Sequence, residues 1–280
     1  KGLLVVQNQD DYLAARGTGT SLLRTYNSTG ALNDDNGDGW LPGMQMLQVT
    51  GTLNAAGSTI NRYEADGGKA LYTFDGSRYV TTEGAGAYDT ITYTKAKGQL
   101  DWRDGATGAT QRYESSGSYR LLQAKDTSGN TLTYAYGANG FLSSVNTPNG
   151  DATFYDYVGN NLSQVRIVSG GVTSTRVRYA YDSSNRLTTV TVDLNPAGNS
   201  VADGKVYQTT YSYDGTSRRI ASINQSDGSS FAFTYVDLGG GDFRVASLRD
   251  GLNQTTTFAY GAGYTTVTVA QGVVTRYDHD

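Results

Sequence analysis

Six times between Tyr134 and Tyr260 the chain sets two aromatic residues two positions apart: Tyr134/Tyr136, Tyr155/Tyr157, Tyr179/Tyr181, Tyr211/Tyr213, Phe233/Tyr235 and Phe258/Tyr260. The second members recur at intervals of 21 to 32 residues. A period of this length marks a repeat architecture, in which one unit cannot bury its apolar face alone and must stack on its neighbours. In an extended strand both rings of a pair project to one face, and the residue between them, such as Ala180 or Ser212, projects to the other.

Each pair is followed by a Gly/Asn/Asp/Ser segment and then a second β-type run: LSSV from Leu142, LSQVRI from Leu162, LTTVTV from Leu187, IASI from Ile220, VASL from Val245 and TTVTV from Thr265. Most of these runs open with apolar residues three apart. That offset breaks strict alternation and predicts a bulge or corner. Asn149-Gly150, Asp203-Gly204, Asp227-Gly228 and Asp250-Gly251 then suit hairpin turns. Composition agrees, because 36 Gly and 22 Tyr stand against three Glu, so strong helix formers are scarce. The expected fold is all-β, an array of antiparallel β-hairpin repeats forming a continuous curled or spiralling sheet. Eleven such hairpins with strands spaced about 4.8 Å apart would make a sheet on the order of 100 Å wide, which must twist, curl or close.

The pattern divides the chain into an opening segment over 1–60, degenerate repeats over 61–124 and clear repeats over 125–280. The first residue is not Met, and VVTRYDHD ends just after Tyr277-Asp278, where the pattern next requires a turn. The chain is therefore expected to be a piece of a longer one, with the rest of that polypeptide or neighbouring copies as partners. A net charge of −4 and no basic run longer than Arg218-Arg219 argue against nucleic-acid binding. No apolar run approaches the roughly 20 residues needed to span a bilayer, and the absence of Cys rules out a disulfide scaffold and thiolate metal sites.

Localised chemistry has few candidates. Asp34, Asn36 and Asp38 fit the first half of a calcium loop, with oxygen-bearing side chains at alternate positions and Gly39 for the turn. The twelfth position is the neutral Gln45, so the loop reads either as a non-helical calcium turn or as a solvated acidic segment. Nucleophilic catalysis needs a base, and the single His279 lies at the chain's end. The 23 Asp mostly follow the repeat and read as turn formers rather than catalytic pairs. The triplet Gly239-Gly240-Gly241 lacks the strand, helix and acid of a dinucleotide site and reads as an enlarged hairpin loop. The aromatic rows have two readings: buried structural filler, or solvent-facing platforms that stack on carbohydrate. No enzymatic activity is expected.

The unit Tyr179, Tyr181, Asp182, Arg186, Leu187, Val190 resembles the YD repeat of the bacterial Rhs (rearrangement hotspot) family, with Asn185 where Gly is usual. The N-terminal LLRTYNSTGALNDDNGDGWLPG is similar to the segment that opens such arrays. The resemblance implies a large secreted or surface-displayed bacterial protein whose hairpins wind into a hollow shell, often housing a toxic C-terminal domain. The Asp-Pro-x-Gly-Leu segment of autoproteolysis in that family is absent from this sequence, as is any toxin domain. The expected role is thus a non-enzymatic shell or scaffold segment enclosing cargo. The alternative is a fibre or surface adhesin built from the same hairpins, with carbohydrate as its ligand.

Overall fold

A computed structural model describes residues 2–15, 17, 19–28, 36–41, 46–64, 68–81, 86 and 88–279. A small sheet comes first, with β1 (Val5–Leu13), β2 (Thr20–Asn27) and β3 (Trp40–Leu41) in that order. The chain then builds one antiparallel sheet of 21 strands in which each strand pairs with the next in sequence. It opens with β4 (Met46–Thr50), β5 (Thr59–Tyr63), β6 (Lys69–Phe74), β7 (Tyr79–Val80), β8 (Thr90–Thr94), β9 (Gln99–Arg103) and β10 (Thr110–Tyr113). It continues through β11 (Leu121–Lys125), β12 (Thr131–Tyr136), β13 (Leu142–Asn146), β14 (Ala152–Val158), β15 (Asn161–Ser169), β16 (Val172–Tyr181) and β17 (Leu187–Asp193). The last strands are β18 (Val206–Tyr213), β19 (Ile220–Gln225), β20 (Ser230–Asp237), β21 (Phe243–Asp250), β22 (Thr255–Gly261), β23 (Tyr264–Thr268) and β24 (Val274–Asp278). This is the all-β hairpin array expected from the repeats. Residue 60 lies inside β5 and residue 124 inside β11, so backbone pairing runs through both boundaries drawn from motif clarity.

The sheet curls. Its leading strand β4 meets the chain just ahead of β11, where Met46 bridges Arg120 and the Leu47 N–H donates to the Tyr119 carbonyl at 3.2 Å. Strands β4 to β10 thereby wrap a core of Leu47, Ile60, Tyr72, Tyr79, Ile91, Leu100, Trp102, Tyr113 and Leu121. No ladder joins β24 to β4 among the described residues, so the sheet remains open beyond this first turn. Register carries one apolar face along the array: Ile60 opposes Tyr72, Tyr79 opposes Ile91, Tyr93 opposes Leu100, and Tyr113 opposes Leu121. Since the first turn encloses that face, it is the inner one.

The three-residue offset is a bulge at a fixed place. Ala135 pairs with Ser144 but Tyr136 with Leu142, which leaves Ser143 as the extra residue. The same shift falls ahead of Tyr157, Tyr181, Tyr213 and Tyr235. It lets Leu142 and Val145 both point inward, opposite the second and first ring of their hairpin. The extra residue's hydroxyl is used: Ser143, Ser163 and Thr188 donate to the carbonyls of Ala135, Asp156 and Ala180. In the turn after Tyr181, Asn185 adopts φ 56°, a left-handed conformation that Asn tolerates better than most residues and that Gly140 (φ 85°) takes in the earlier unit.

The small sheet lies on the inner face of the large one. Leu22, Tyr26 and Trp40 share a buried core with Leu132, Val145, Tyr155, Val177, Tyr179, Tyr211 and Phe233, spanning β12 to β20. In β1 the alternation Val6, Asn8, Asp10 points to the wall while Val5, Gln7 and Gln9 point away. In β2 the wall-facing set is Leu22, Arg24 and Tyr26.

Candidate functional site

The inner face is the one extended surface on which the repeats converge. Tyr155, Tyr179, Tyr211 and Phe233 are buried in it, and Tyr134, Tyr136, Tyr157, Tyr181, Tyr213 and Tyr235 pack against the same core. Phe258 and Tyr260, beyond the small sheet, are half-buried. The solvent-facing reading does not describe Tyr155, Tyr179, Tyr211 and Phe233, whose buried rings offer no face to a sugar.

The motif residues couple one hairpin to the next. Arg186 pairs with Asp182 across its own turn at 2.8 Å and lies 4.8 Å from the ring centre of Tyr213 in the following hairpin. The Tyr213 hydroxyl donates to the carbonyl of Leu187, beside that arginine, at 2.6 Å. The arrangement recurs as Arg219 with Asp214 and Tyr235, whose hydroxyl donates to Ile220 at 2.8 Å. Arg244 keeps the contact with the next ring, Tyr260, whose hydroxyl donates to Val245 at 2.6 Å, but its acid is Asp242, two residues before it rather than across the turn. In the weaker repeats Glu114 replaces the Asp: Arg120 holds it at 2.6 Å and lies over Tyr136, which donates to Leu121. Guanidinium stacking and a charge-assisted pair explain why the unit uses Arg rather than Lys.

These contacts fix the protonation states. Hydrogen bonds from the Arg120 guanidinium hold the Glu114 carboxyl below its usual range, and those from Arg166 do the same to Asp156. Burial pushes the Tyr113 and Tyr134 phenols up to about 12 and raises Tyr136, Tyr213 and Tyr235 further. These five tyrosines are neutral at physiological pH.

At the centre of the seated sheet is a charged group the sequence did not flag. Arg24 and Asp10 form a two-point pair at 2.8 and 3.0 Å, with side chains 3% and 5% exposed. Two wall tyrosines complete it: Tyr179 donates to Asp10 at 3.0 Å, and Tyr211 accepts from Arg24 at 3.1 Å and from Asn8 at 3.2 Å. Trp40 stacks 4.2 Å from the Arg24 guanidinium and 4.9 Å from the Tyr211 ring. Burial is the largest single influence on Arg24 and lowers its pKa, but the Asp10 charge and hydrogen bond together with Tyr211 and Tyr179 drive the value up, while burial and Asp10 together raise Tyr179. Nearby, Tyr26 donates to the Arg218 carbonyl at 2.7 Å and Asp11 pairs with Arg176 at 2.8 Å. The available signal was the alternation Leu22, Arg24, Tyr26, which puts a cation on the buried face of an apolar strand.

Of the calcium candidates, Asp34 lies outside the described residues. The Asn36 amide nitrogen donates to Asn161 and to the Asn185 carbonyl, pinning the loop to two successive wall turns. Asn36 and Asp38 also accept from the backbone N–H groups of Asp38 and Trp40. Among the described residues no group of three or more His, Asp or Glu side chains converges. His279 touches Thr265 at 3.3 Å on the last hairpin, and the glycines 239–241 turn the chain between β20 and β21.

No family model matches the chain, and no curated protein matches it. Solved structures do. A crystal structure of TcdB2-TccC3 aligns over 94% of this chain and 17% of its own, at 10% identity and a TM-score of 0.34. TcdB2-TccC3-TEV aligns over 98% and 19%, at 12% identity and 0.35. The Photorhabdus luminescens Tc holotoxin pore, with a mutated TccC3, aligns over 98% and 18%, at 12% identity and 0.28. The chain spans less than a fifth of the length of each of these.

Proposed function

We propose that this chain is a non-catalytic wall segment of an Rhs-type YD-repeat shell, part of a large exported bacterial protein, whose inner face holds polypeptide cargo such as a toxin domain. One observation carries the reading: the inner face already holds protein, since the small sheet is seated across β12 to β20 through apolar contact and one buried charged group. A wall needs continuity rather than a localised site. The residues that repeat, Tyr, Asp, Arg and Leu, are occupied in coupling hairpin to hairpin. Among the described residues no helix is long and apolar enough to cross a membrane.

Electron cryo-microscopy of the natural full-length polypeptide tests the proposal. The expected image is a hollow particle whose wall contains these hairpins in this order, with protein density inside. Filaments built by end-to-end stacking would favour the fibre reading, and a solid particle with the inner face packed against a second wall would end the shell reading.

A further inference from the structure

We infer that the free edge of β1 is a strand-addition site, taking an extended, uncharged polypeptide segment into the groove between the small sheet and the wall. Among the described residues β1 forms a ladder with β2 alone, so its other edge carries backbone N–H and C=O groups with no strand opposite. Beside that edge runs a groove of about 340 Å³, floored by Ile223, Phe233 and Leu248 of the wall and bordered by Val5, Phe231 and Gln225. None of its ten lining residues is charged.

Three observations select the occupant. Phe231, on the wall's inner face, is 40% exposed, although the same face is buried wherever β1 to β3 cover it. The groove is thus continuous with an interface already built, and a fourth strand beside β1 would extend that interface by one step of about 4.8 Å. An unpaired edge next to apolar pockets is the geometry of β-augmentation, in which main-chain hydrogen bonds give affinity and alternate side chains fill pockets. A lining without charge disfavours a charged strand, because an unpaired charge would lose its hydration there. Alternating Asn8 and Asp10 do not compete for the occupant, since Tyr211 and Arg24 hold them.

This rests on the reading that the inner face holds polypeptide, and its test is separable. The probe is a synthetic peptide of alternating Val and Thr with Lys pairs at its ends, added to the isotope-labelled chain and followed by NMR and amide hydrogen exchange. Expected are saturable binding, at least about tenfold slower exchange at alternate amides over residues 5–8, and a loss of about tenfold in affinity in Phe231→Asp. A version of the peptide with Pro at alternate positions is expected not to bind. Absence of slowed exchange in the folded chain overturns the inference. So does equal binding of the Pro peptide, or exchange slowed only through self-association seen by light scattering. A hollow particle in microscopy with no peptide binding would sink the strand site and leave the wall; binding without a hollow particle would do the reverse.

Discussion

The Tyr213 hydroxyl donates to the Leu187 carbonyl at 2.6 Å, across the step from one hairpin to the next, while Arg186 lies over the same ring. One side chain thus contributes apolar area to the core, a hydrogen bond to the preceding unit and a stacking surface. These contributions separate by substitution. Tyr213→Phe keeps the ring and should cost about 1 kcal/mol for the lost bond, whereas Tyr213→Ala should cost about 3–5 kcal/mol through the cavity. Urea denaturation midpoints at constant slope check the ordering. Equal losses would mean that the hydroxyl, not the ring, dominates.

Much of this is legible in the sequence. Tyr-x-Tyr with a two-residue step fixes which face the rings take, and Leu142 three before Val145 announces an irregularity. Locating the bulge at Ser143 needed the register, because sequence alone leaves the extra residue ambiguous by one or two positions. The seated sheet was not legible. Arg24 and Asp10 find each other 14 residues apart, but Tyr179 and Tyr211 join them from 169 and 187 residues away, a juxtaposition that no local spacing encodes. Asn36, by type and spacing, suits either a calcium turn or a solvated acidic segment. Its contact with Asn161 depends on how the sheet curls.

The buried Arg24–Asp10 pair should behave asymmetrically. Asp10→Asn leaves a buried guanidinium short of its counter-charge and is expected to destabilise by about 3–5 kcal/mol, as is Arg24→Met for the carboxylate. The double variant Asp10→Leu/Arg24→Met removes both charges and should recover most of that loss, though Tyr179 then loses its acceptor while Tyr211 keeps only its bond from Asn8. Thermal unfolding of the three variants checks this. A double variant as weak as the sum of the singles would show that the two charges do not act on each other.

Stability should fall at both ends of the pH scale, for opposite reasons. Glu114 and Asp156 have carboxyl pKa values lowered in the fold, so their contribution is complete above the unfolded value near about 4 and is lost as pH falls through the lower folded values. The buried phenols run the other way: with Tyr113 and Tyr134 raised to about 12, their contribution is complete below the unfolded value near about 10 and is lost as pH rises through the folded ones. Above pH 10 the tyrosinate absorbance of the rows should therefore rise together with the loss of β-sheet circular dichroism. Ionisation of the rows with the sheet signal intact would contradict their burial.

The bulge provides the sharpest test of the repeat itself. Thr188 is the extra residue between Leu187, opposite Tyr181, and Thr189, opposite Ala180, and its hydroxyl donates to the Ala180 carbonyl at 3.1 Å. Thr188→Ala removes only that partly exposed bond and should cost under about 1 kcal/mol. Deleting Thr188 together with Thr189 sets Leu187 directly beside Val190, so the two can no longer both face inward: one of two residues that are 1% and 2% exposed must turn to solvent. Fully burying such a side chain is worth about 1.5–3 kcal/mol, and the vacated site adds a cavity term, so the deletion should destabilise several-fold more than the substitution. Paired denaturation curves for the two variants decide it. If they coincide, the wall tolerates a register slip that its continuous inner face forbids.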